Sequence, residues 1–436
     1  FRNFKDVSGI HYTIQRAIYN VYSTSDDRIW VGTVSDLCYF DSKDTDLILS
    51  GKKNVNHMFI QDIYWGISNP TVYCVFEDSF KNVWIGSNGG GASFISSTSS
   101  FFHSWRINKI PGVTNGLNDK EVLTICVADN GNIWMGTDGG GINVNIDGRN
   151  CMFYSHDTGD ISSNTYHSSL KDSNGDLWFG NMYNEMGIDV FISKEGRFIH
   201  YTPQGNGSVI YCLFEDNQRN VWIGSNNGLE IYNLITKKKD FLNKENSQLL
   251  TNEIKAVSQD KNGNIWIGTL NKGISIYNPE SKTMKHINEH TIFENCVINQ
   301  IFRDSKNRIW IATTEGLVLF PNEQSDTYQL FNTQNGLACN LICSIEEDSE
   351  GNIWLSTHSG ISCFIESEQR FLNYDHKDGT LFGTYMNNSV GKAQDGTIYF
   401  GSINGVCYFN PKDRPSNIIL PPVIFTDFKV YGRNPH

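Results

Sequence analysis

One short segment recurs along the chain, and its recurrence constrains the fold more than any other feature. It reads "GNIWMGT" from Gly131, "GNIWIGT" from Gly263 and "GNIWLST" from Gly351. Its aromatic position is occupied in turn by Trp30, Trp84, Trp134, Trp178, Trp222, Trp266, Trp310, Trp354 and Tyr399. From Trp134 onward, successive members lie 44 or 45 residues apart. A fixed period of this length is the signature of a repeat architecture.

Each repeat is predicted to form four short strands. An apolar run ends in an acid, and a D-x-x-G-N turn such as Asp260–Asn264 follows. Gly and Asn supply the backbone conformations that tight hairpin turns need. The "IWIGT" strand, a glycine turn and two further strands complete the unit. Because the first two strands are apolar on both faces, their sheet must be covered on both sides. The sequence therefore predicts an all-β protein, a β-propeller of stacked four-stranded blades.

The number of repeats leaves two arrangements open. Seven repeats keep a constant period, the first two are longer, and the ninth lacks a fourth strand. Residues Ser100–Ile107 could supply that strand and close a ring. We therefore predict a seven-bladed propeller over residues 99–420 and two blades of a preceding propeller over residues 1–98, and we expect the chain to be a piece of a longer protein. The alternative is one ring of eight or nine blades.

Composition and motifs exclude several classes of function. The net charge of −12 argues against a nucleic-acid partner. No apolar run is long enough to span a membrane. The ten cysteines form no C-x-x-C pair, so we expect buried free thiols. The D-x-x-G-N turns lack the bidentate acid of a calcium loop. We accordingly predict no metal, no cofactor and no catalytic residue.

One face of a propeller should carry the variable loops, which enter the first strand of each blade and join its second and third strands. These loops are rich in Asn, Ser, Thr, Tyr and His, side chains that hydrogen-bond sugar hydroxyls. Most of them can equally be turn residues. The longest loops are Asn181–Met186 and His376–Asn388, and long loops tend to carry function. Lys255 would add positive character for an acidic ligand. The candidate ligand-binding residues are Trp65, Asn181, Tyr183, Asn184, Lys272, His358, His376, Lys377 and Tyr385.

The repeat unit resembles the two-component-regulator propeller repeat of periplasmic sensor regions in Bacteroidetes hybrid two-component systems. The segments that carry the resemblance are Asp216–Tyr232, Asp260–Tyr277 and Asp348–Phe364. The tail Pro421–Asn434 resembles the start of the β-sandwich that follows the propellers in that family, which implies a third domain beginning at residues 421–436. The resemblance also implies a membrane helix and a cytoplasmic histidine kinase beyond this chain.

The resemblance implies a function as well. We expect a periplasmic, non-enzymatic region that binds an oligosaccharide and so controls polysaccharide-utilisation genes. We also expect a homodimer that is attached to the membrane only through a C-terminal segment absent from this chain. Two alternatives stay open. A propeller glycosidase or lyase would need facing catalytic side chains, and a protein-binding scaffold would need a contiguous apolar patch.

Overall fold

The computed structural model of the protein describes residues 17–49, 56–58, 67, 69–95, 101–107, 116–146, 151–182, 187–204, 209–288, 291–322 and 327–414. The chain divides into two compact units. The larger comprises Ser99–Asp413, and the smaller comprises Phe1–Thr98 with Arg414–His436. The predicted sandwich segment at residues 421–436 lies outside the described residues.

The larger unit consists of seven four-stranded antiparallel sheets, here blades 1 to 7. Blades 1 to 3 comprise β9 (Val122–Val127), β10 (Ile133–Thr137), β11 (Ile142–Asn145), β12 (Cys151–Tyr154), β13 (Tyr166–Lys171), β14 (Leu177–Asn181), β15 (Ile188–Ile192), β16 (Arg197–Tyr201), β17 (Ile210–Glu215), β18 (Asn220–Ser225), β19 (Leu229–Asn233) and β20 (Lys239–Leu242). Blades 4 to 6 comprise β21 (Ile254–Gln259), β22 (Ile265–Thr269), β23 (Ile274–Asn278), β24 (Thr283–Ile287), β25 (Ile298–Arg303), β26 (Ile309–Thr313), β27 (Leu317–Phe320), β28 (Gln329–Phe331), β29 (Ile342–Glu347), β30 (Ile353–Thr357), β31 (Gly360–Ile365) and β32 (Arg370–Tyr374). Blade 7 comprises β33 (Tyr385–Lys392), β34 (Ile398–Ser402), β35 (Gly405–Phe409) and β8 (His103–Trp105).

The seven blades close into a ring. The first strand of each blade packs against the first strand of the next, and β33 of blade 7 packs against β9 of blade 1. Strand β8 pairs antiparallel with β35, placing Trp105 opposite Val406 and His103 opposite Tyr408. The predicted closing strand is confirmed, although it is shorter than Ser100–Ile107. The alternative of one ring of eight or nine blades is wrong, because seven blades already complete the circle.

The repeated tryptophan and the glycine two residues later explain how the blades stack. Trp266 is 1% exposed in the apolar layer between blades 4 and 5, which also holds Ile298. A side chain at Gly268 would place its Cβ 2.4 Å from Cγ2 of Ile298 in the next blade. A Cβ at this distance would require the Ile298 side chain to shift. The predicted role of this glycine, leaving room for the adjacent blade, is therefore confirmed.

The aspartate of the D-x-x-G-N turn is the centre of a conserved set of hydrogen bonds within the repeats. In blade 4, Oδ1 of Asp260 accepts the backbone N–H groups of Asn262 and Asn264, each at 2.9 Å. Its Oδ2 accepts the side-chain amide of Asn264 at 2.9 Å and the indole N–H of Trp266 at 3.2 Å. The carboxylate is thus used to hold the turn and the tryptophan together.

The smaller unit contains two described sheets. Their strands are β1 (Ile18–Ser23), β2 (Arg28–Thr33), β3 (Leu37–Asp41) and β4 (Asn56–Met58) in the first, and β5 (Val72–Glu77), β6 (Val83–Ser87) and β7 (Gly91–Ile95) in the second. Trp84 makes the repeat's indole bond to Asp78 at 2.9 Å, yet it is 42% exposed. Phe76 and Phe94 are exposed on the same sheet. This sheet therefore presents the aromatic surface that a neighbouring blade covers in the larger unit.

In the part of the chain that the structure describes, helical structure is limited to short segments. One α-helix spans Thr45–Leu49 there, and 3-10 turns occur at Ser42–Asp44, Ile292–Glu294, Thr333–Asn335, His376–Asp378 and Pro411–Asp413. Among the described residues, no helix has the length and apolar character of a membrane span. The ten cysteines are free, and most are buried as predicted.

Candidate functional site

The larger unit has two chemically different faces. We call the loop face the one from which the loops entering the first strands and the loops between second and third strands emerge. The opposite one, which carries the D-x-x-G-N turns, we call the turn face. In blades 2 to 6 the turn face is built from the same hydrogen bonds of the turn aspartate. Variation between blades therefore concentrates on the loop face.

Four predicted ligand contacts lie exposed or half-buried on the loop face. Lys272 and His358 are exposed in the loops between the second and third strands of blades 4 and 6. His376 and Lys377 lie in the short 3-10 turn that leads into blade 7. Asp375 fixes this turn, because its carboxylate accepts the Lys377 N–H at 2.7 Å. These four side chains are available to a ligand, but they are spread over three blades.

Two other predicted contacts are buried parts of the fold. Asn181 ends β14 and donates to Oγ of Ser162 at 3.2 Å and to the carbonyl of Gly187 at 3.1 Å. Tyr385 is 1% exposed, and the N–H of Leu381 donates to its hydroxyl at 3.2 Å. Neither side chain is accessible to a ligand in this structure, which corrects our placement of both at the surface. Three further candidates, Trp65, Tyr183 and Asn184, lie outside the described residues.

Three residues meet near the axis of the ring. They were not recognisable as a cluster from the sequence. In blades 2, 3 and 4 the first strand has a β-bulge at its loop-face end, and the extra residue is His167, Tyr211 and Lys255, respectively. The Lys255 ammonium lies 3.3 Å from the centroid of the Tyr211 ring. The His167 and Tyr211 rings are 6.1 Å apart, edge to face. We call these three residues the axial cluster.

The axial cluster is polar, but not all of its polar atoms have hydrogen-bond partners. Nδ1 of His167 is buried and has no hydrogen-bond partner. Burial, with the nearby charge of Lys255, lowers the pKa of His167 to about 4, so its ring is neutral at physiological pH. Burial also lowers the pKa of Lys255, and the charge of Glu253 opposes this shift without forming an ion pair. A half-buried ammonium thus faces an aromatic ring and a neutral imidazole.

A cavity of about 360 Å³ follows the axis on the turn-face side of the cluster. Its lining includes Cys212 and Ala256, the residues that follow Tyr211 and Lys255 in the chain, and it extends to Arg303. Glu346 also lines it and receives a 2.8 Å ion pair from Lys392. Burial raises the pKa of Glu346 although Lys392 opposes the shift. The cavity is therefore lined by apolar residues and, in similar measure, by polar and charged side chains such as Gln259, Gln300 and Arg303.

The repeat pattern is matched by a known family. The two component regulator propeller family matches six segments, residues 66–89, 116–139, 204–227, 248–271, 292–315 and 336–359. The chain is a two-component-regulator propeller-repeat protein. Over 96% of its length this propeller-repeat protein is similar to an extracellular domain assigned to the hybrid two-component system BT3049 of B. thetaiotaomicron, with 34% identity and a TM-score of 0.78. It spans 55% of that domain, about half its length.

More distant structures share the fold. The propeller-repeat protein matches an extracellular domain assigned to the hybrid two-component system BT4673 of B. thetaiotaomicron with 18% identity and a TM-score of 0.60, covering 90% of this chain and 52% of that one. It matches virginiamycin B lyase from Staphylococcus aureus with 14% identity and a TM-score of 0.54, covering 71% of this chain and 98% of that one. At these levels of sequence identity, the similarity shows a shared fold and nothing more. No curated protein matches the sequence.

Proposed function

We propose that this chain is the ligand-sensing region of a periplasmic hybrid two-component sensor and that it binds an oligosaccharide on its loop face. The observation that carries the proposal is the 34% identity to an extracellular domain of such a system across 96% of the chain. The loop face supports it, because Lys272, His358, His376 and Lys377 expose donors suited to sugar hydroxyls there. Binding would occur without chemical change of the sugar and would control polysaccharide-utilisation genes.

Such a sensor acts by differential binding. A ligand shifts the balance between two states of a receptor only if it binds one of them more tightly. We extend the proposal to a homodimer in which both copies bind ligand, with membrane attachment through a segment that follows this chain. Analytical ultracentrifugation with and without ligand tests the dimer. A monomer under both conditions contradicts this part and leaves ligand binding intact.

The experiment that tests ligand binding is a thermal-shift screen against digests of plant and host polysaccharides. A ligand at about a hundred times its Kd stabilises the folded protein by about 2.7 kcal/mol, enough to raise the melting temperature measurably. Chromatography of the same mixtures shows whether any sugar is cleaved. Cleaved product favours a glycosidase or lyase instead. If no digest shifts the melting temperature, a protein-binding scaffold becomes the better explanation.

A pair of variants then locates the binding surface. His376→Ala on the loop face should weaken binding of a positive digest by about 1–3 kcal/mol, the cost of leaving a polar partner unpaired. Lys194→Ala serves as the matched control, because Lys194 is exposed in the turn-face loop between β15 and β16. The Lys194→Ala variant should bind the positive digest with the affinity of the wild type. The reverse result would place the binding surface on the turn face.

A further inference from the structure

The axial cluster contains a positive charge that the described part of the chain does not neutralise. No carboxylate of a described residue lies within 4.0 Å of the Lys255 ammonium, whereas Lys171 and Lys392 have carboxylate partners at 2.6 and 2.8 Å. Glu253, two positions earlier, acts on Lys255 only through space. The contact that holds the ammonium is the face of Tyr211. A cation over an aromatic ring recovers only part of the hydration that burial removes.

A second, independent observation lies beside it. Nδ1 of His167 is buried without a hydrogen-bond partner, and its ring is the next group around the axis after Tyr211. Buried polar atoms in folded proteins nearly always have partners, so a nitrogen without one in the same cluster as an unpaired ammonium indicates a binding partner for both. The following blade contributes Asn299 at the equivalent bulge. Its amide nitrogen donates to the carbonyl of Ile342 at 2.8 Å, which fixes the orientation of the amide.

We infer that the axial cluster binds the anionic group of a ligand, a carboxylate or sulfate, with Lys255 as its counter-ion and His167 as a hydrogen-bonding partner. The anion site rests on the geometry of these side chains. The nature of the ligand, an acidic oligosaccharide, rests on the proposed function. The anionic group would enter the axis from the loop face while the sugar hydroxyls contact the surrounding loops.

The bulges explain why these side chains can converge. A β-bulge adds one residue to a strand and redirects its side chain from the sheet faces. In the first strands, regular positions pack between blades, as Ile254 and Ala256 do on either side of Lys255. At Lys255 the bulged position lies outside this packing and meets Tyr211 instead, whereas Cys343 at the equivalent bulge of blade 6 packs in the core. Blades 2, 3 and 4 thus present one side chain each to the common axis.

Calorimetry on the full chain tests the inference with three probes: trigalacturonate, the neutral sugar galactotriose and a sulfated heparin disaccharide. Preferential binding of either acidic sugar over galactotriose is expected, and the two acidic probes distinguish a carboxylate from a sulfate. Lys255→Met should weaken acidic-sugar binding roughly ten- to a hundredfold, the loss of one charge-assisted hydrogen bond. Lys194→Met is the matched control, since Lys194 is exposed in the turn-face loop between β15 and β16, and this variant should bind acidic sugars as the wild type does.

A site-specific measurement separates this inference from the proposed function. Lysines are dimethylated with ¹³C-formaldehyde, and the resonance of Lys255 is assigned by its loss in Lys255→Met. Sodium glucuronate or sodium sulfate should shift that resonance, whereas sodium chloride at equal ionic strength should not. An unmoved Lys255 resonance, or tighter binding of galactotriose than of both acidic sugars, overturns the anion site and leaves neutral-sugar sensing standing. A shifted resonance with no oligosaccharide binding supports the anion site and contradicts the proposed function.

Discussion

The indole N–H of Trp266 donates a 3.2 Å hydrogen bond to Oδ2 of Asp260, six residues earlier in the chain. The same bond joins tryptophan to aspartate in five other repeats, at Trp84, Trp178, Trp222, Trp310 and Trp354. In two of the repeats that carry tryptophan the aspartate is replaced, by Thr24 and by Ala128, and the buried indole nitrogens of Trp30 and Trp134 have no partner. The aspartate therefore serves two purposes: it shapes the turn and satisfies the tryptophan.

Removing the tryptophan of blade 4 should be costly. Trp266→Ala is expected to lower the free energy of unfolding by about 3–5 kcal/mol, because a large aromatic side chain is lost from a packed layer. Trp84→Ala is the matched control, since Trp84 makes the same bond to Asp78 but is 42% exposed. Its cost should be clearly smaller. Denaturant unfolding followed by circular dichroism measures both. Equal costs would mean that burial does not set the contribution of this position.

Restoring the missing aspartate of blade 1 should stabilise the protein. Ala128→Asp offers an acceptor to the unpaired indole of Trp134, in a turn whose backbone already matches that of the other blades. We expect a gain of about 1 kcal/mol, the typical net contribution of a hydrogen bond.

Blade 7 provides the control for this substitution. Ala393 occupies the same turn position there, but Tyr399 replaces the tryptophan and has no indole to satisfy. Ala393→Asp should therefore give little or no gain in the same thermal-unfolding assay. A similar gain in both variants would attribute the effect to the turn alone.

The repeat period made the fold predictable from the sequence. The tryptophan position recurs in every blade, and glycine occupies the position of Gly268 in five of the seven blades, because each blade packs on its neighbour in a similar way. The closing strand was predictable for a related reason. Blade 7 lacks a fourth strand of its own, and an open sheet edge needs a partner. Trp105 then falls on the strand that fills the gap.

The candidate site was less predictable from the sequence, because it depends on single residues and not on a repeated pattern. Tyr385 follows a long polar loop, but it pairs with Ser402 just as Ile254 pairs with Thr269, and so it occupies a core position. Asn181 similarly replaces the threonine or serine that ends the second strand of the other blades. The axial residues were missed as a group, because the rule that side chains alternate along a strand does not foresee a bulge. A polar residue beside the first apolar position, as in "TYHSSL" and "VIYCLF", was the available signal.

An ion pair between blades 5 and 6 should give the protein a defined response to acid. Arg308 donates to both carboxylate oxygens of Glu366 at 3.0 Å and through Nε to Asp304 at 2.6 Å. Burial opposes ionisation of Glu366, but the hydrogen bonds from Arg308 and Lys306 outweigh it and lower its pKa. Because the folded pKa is the lower one, the stabilisation is complete above the unfolded value of about 4.3 and is lost as the pH falls through the folded pKa.

Glu366→Gln measures this contribution. At neutral pH the variant should lose about 1.5–3 kcal/mol, the range for hydrogen bonds to charged groups. The difference from the wild type should shrink below about pH 4, where the wild-type carboxylate also becomes neutral. Glu195→Gln is the control, because its pair with Arg197 is exposed and should contribute about 0–1 kcal/mol. A difference that persists unchanged at low pH would attribute the effect to packing.

Because strand β8 closes the ring, it should determine which fragments of the chain can fold. Residues 99–413 should unfold in one cooperative thermal transition, because they contain all seven blades. Residues 108–413 should not fold stably, since they lack Phe101 and Phe102, which are 5% exposed in the core of blade 7. Each buried phenylalanine contributes about 3–5 kcal/mol, and a domain's whole stability is about 5–15 kcal/mol.

A circularly permuted chain distinguishes the effect of losing strand β8 from the effect of shortening the chain. In blade 5, eight residues, 321–328, join the third strand to the fourth. Placing residues 99–107 directly after Asp413 in the 108–413 chain would join β35 to β8 through the same number of residues, 410–413 and 99–102. This circular permutant should recover the melting temperature of residues 99–413 within a few degrees. If it stays unfolded while residues 99–413 fold, the strand is needed at the N-terminus for a reason other than its pairing with β35.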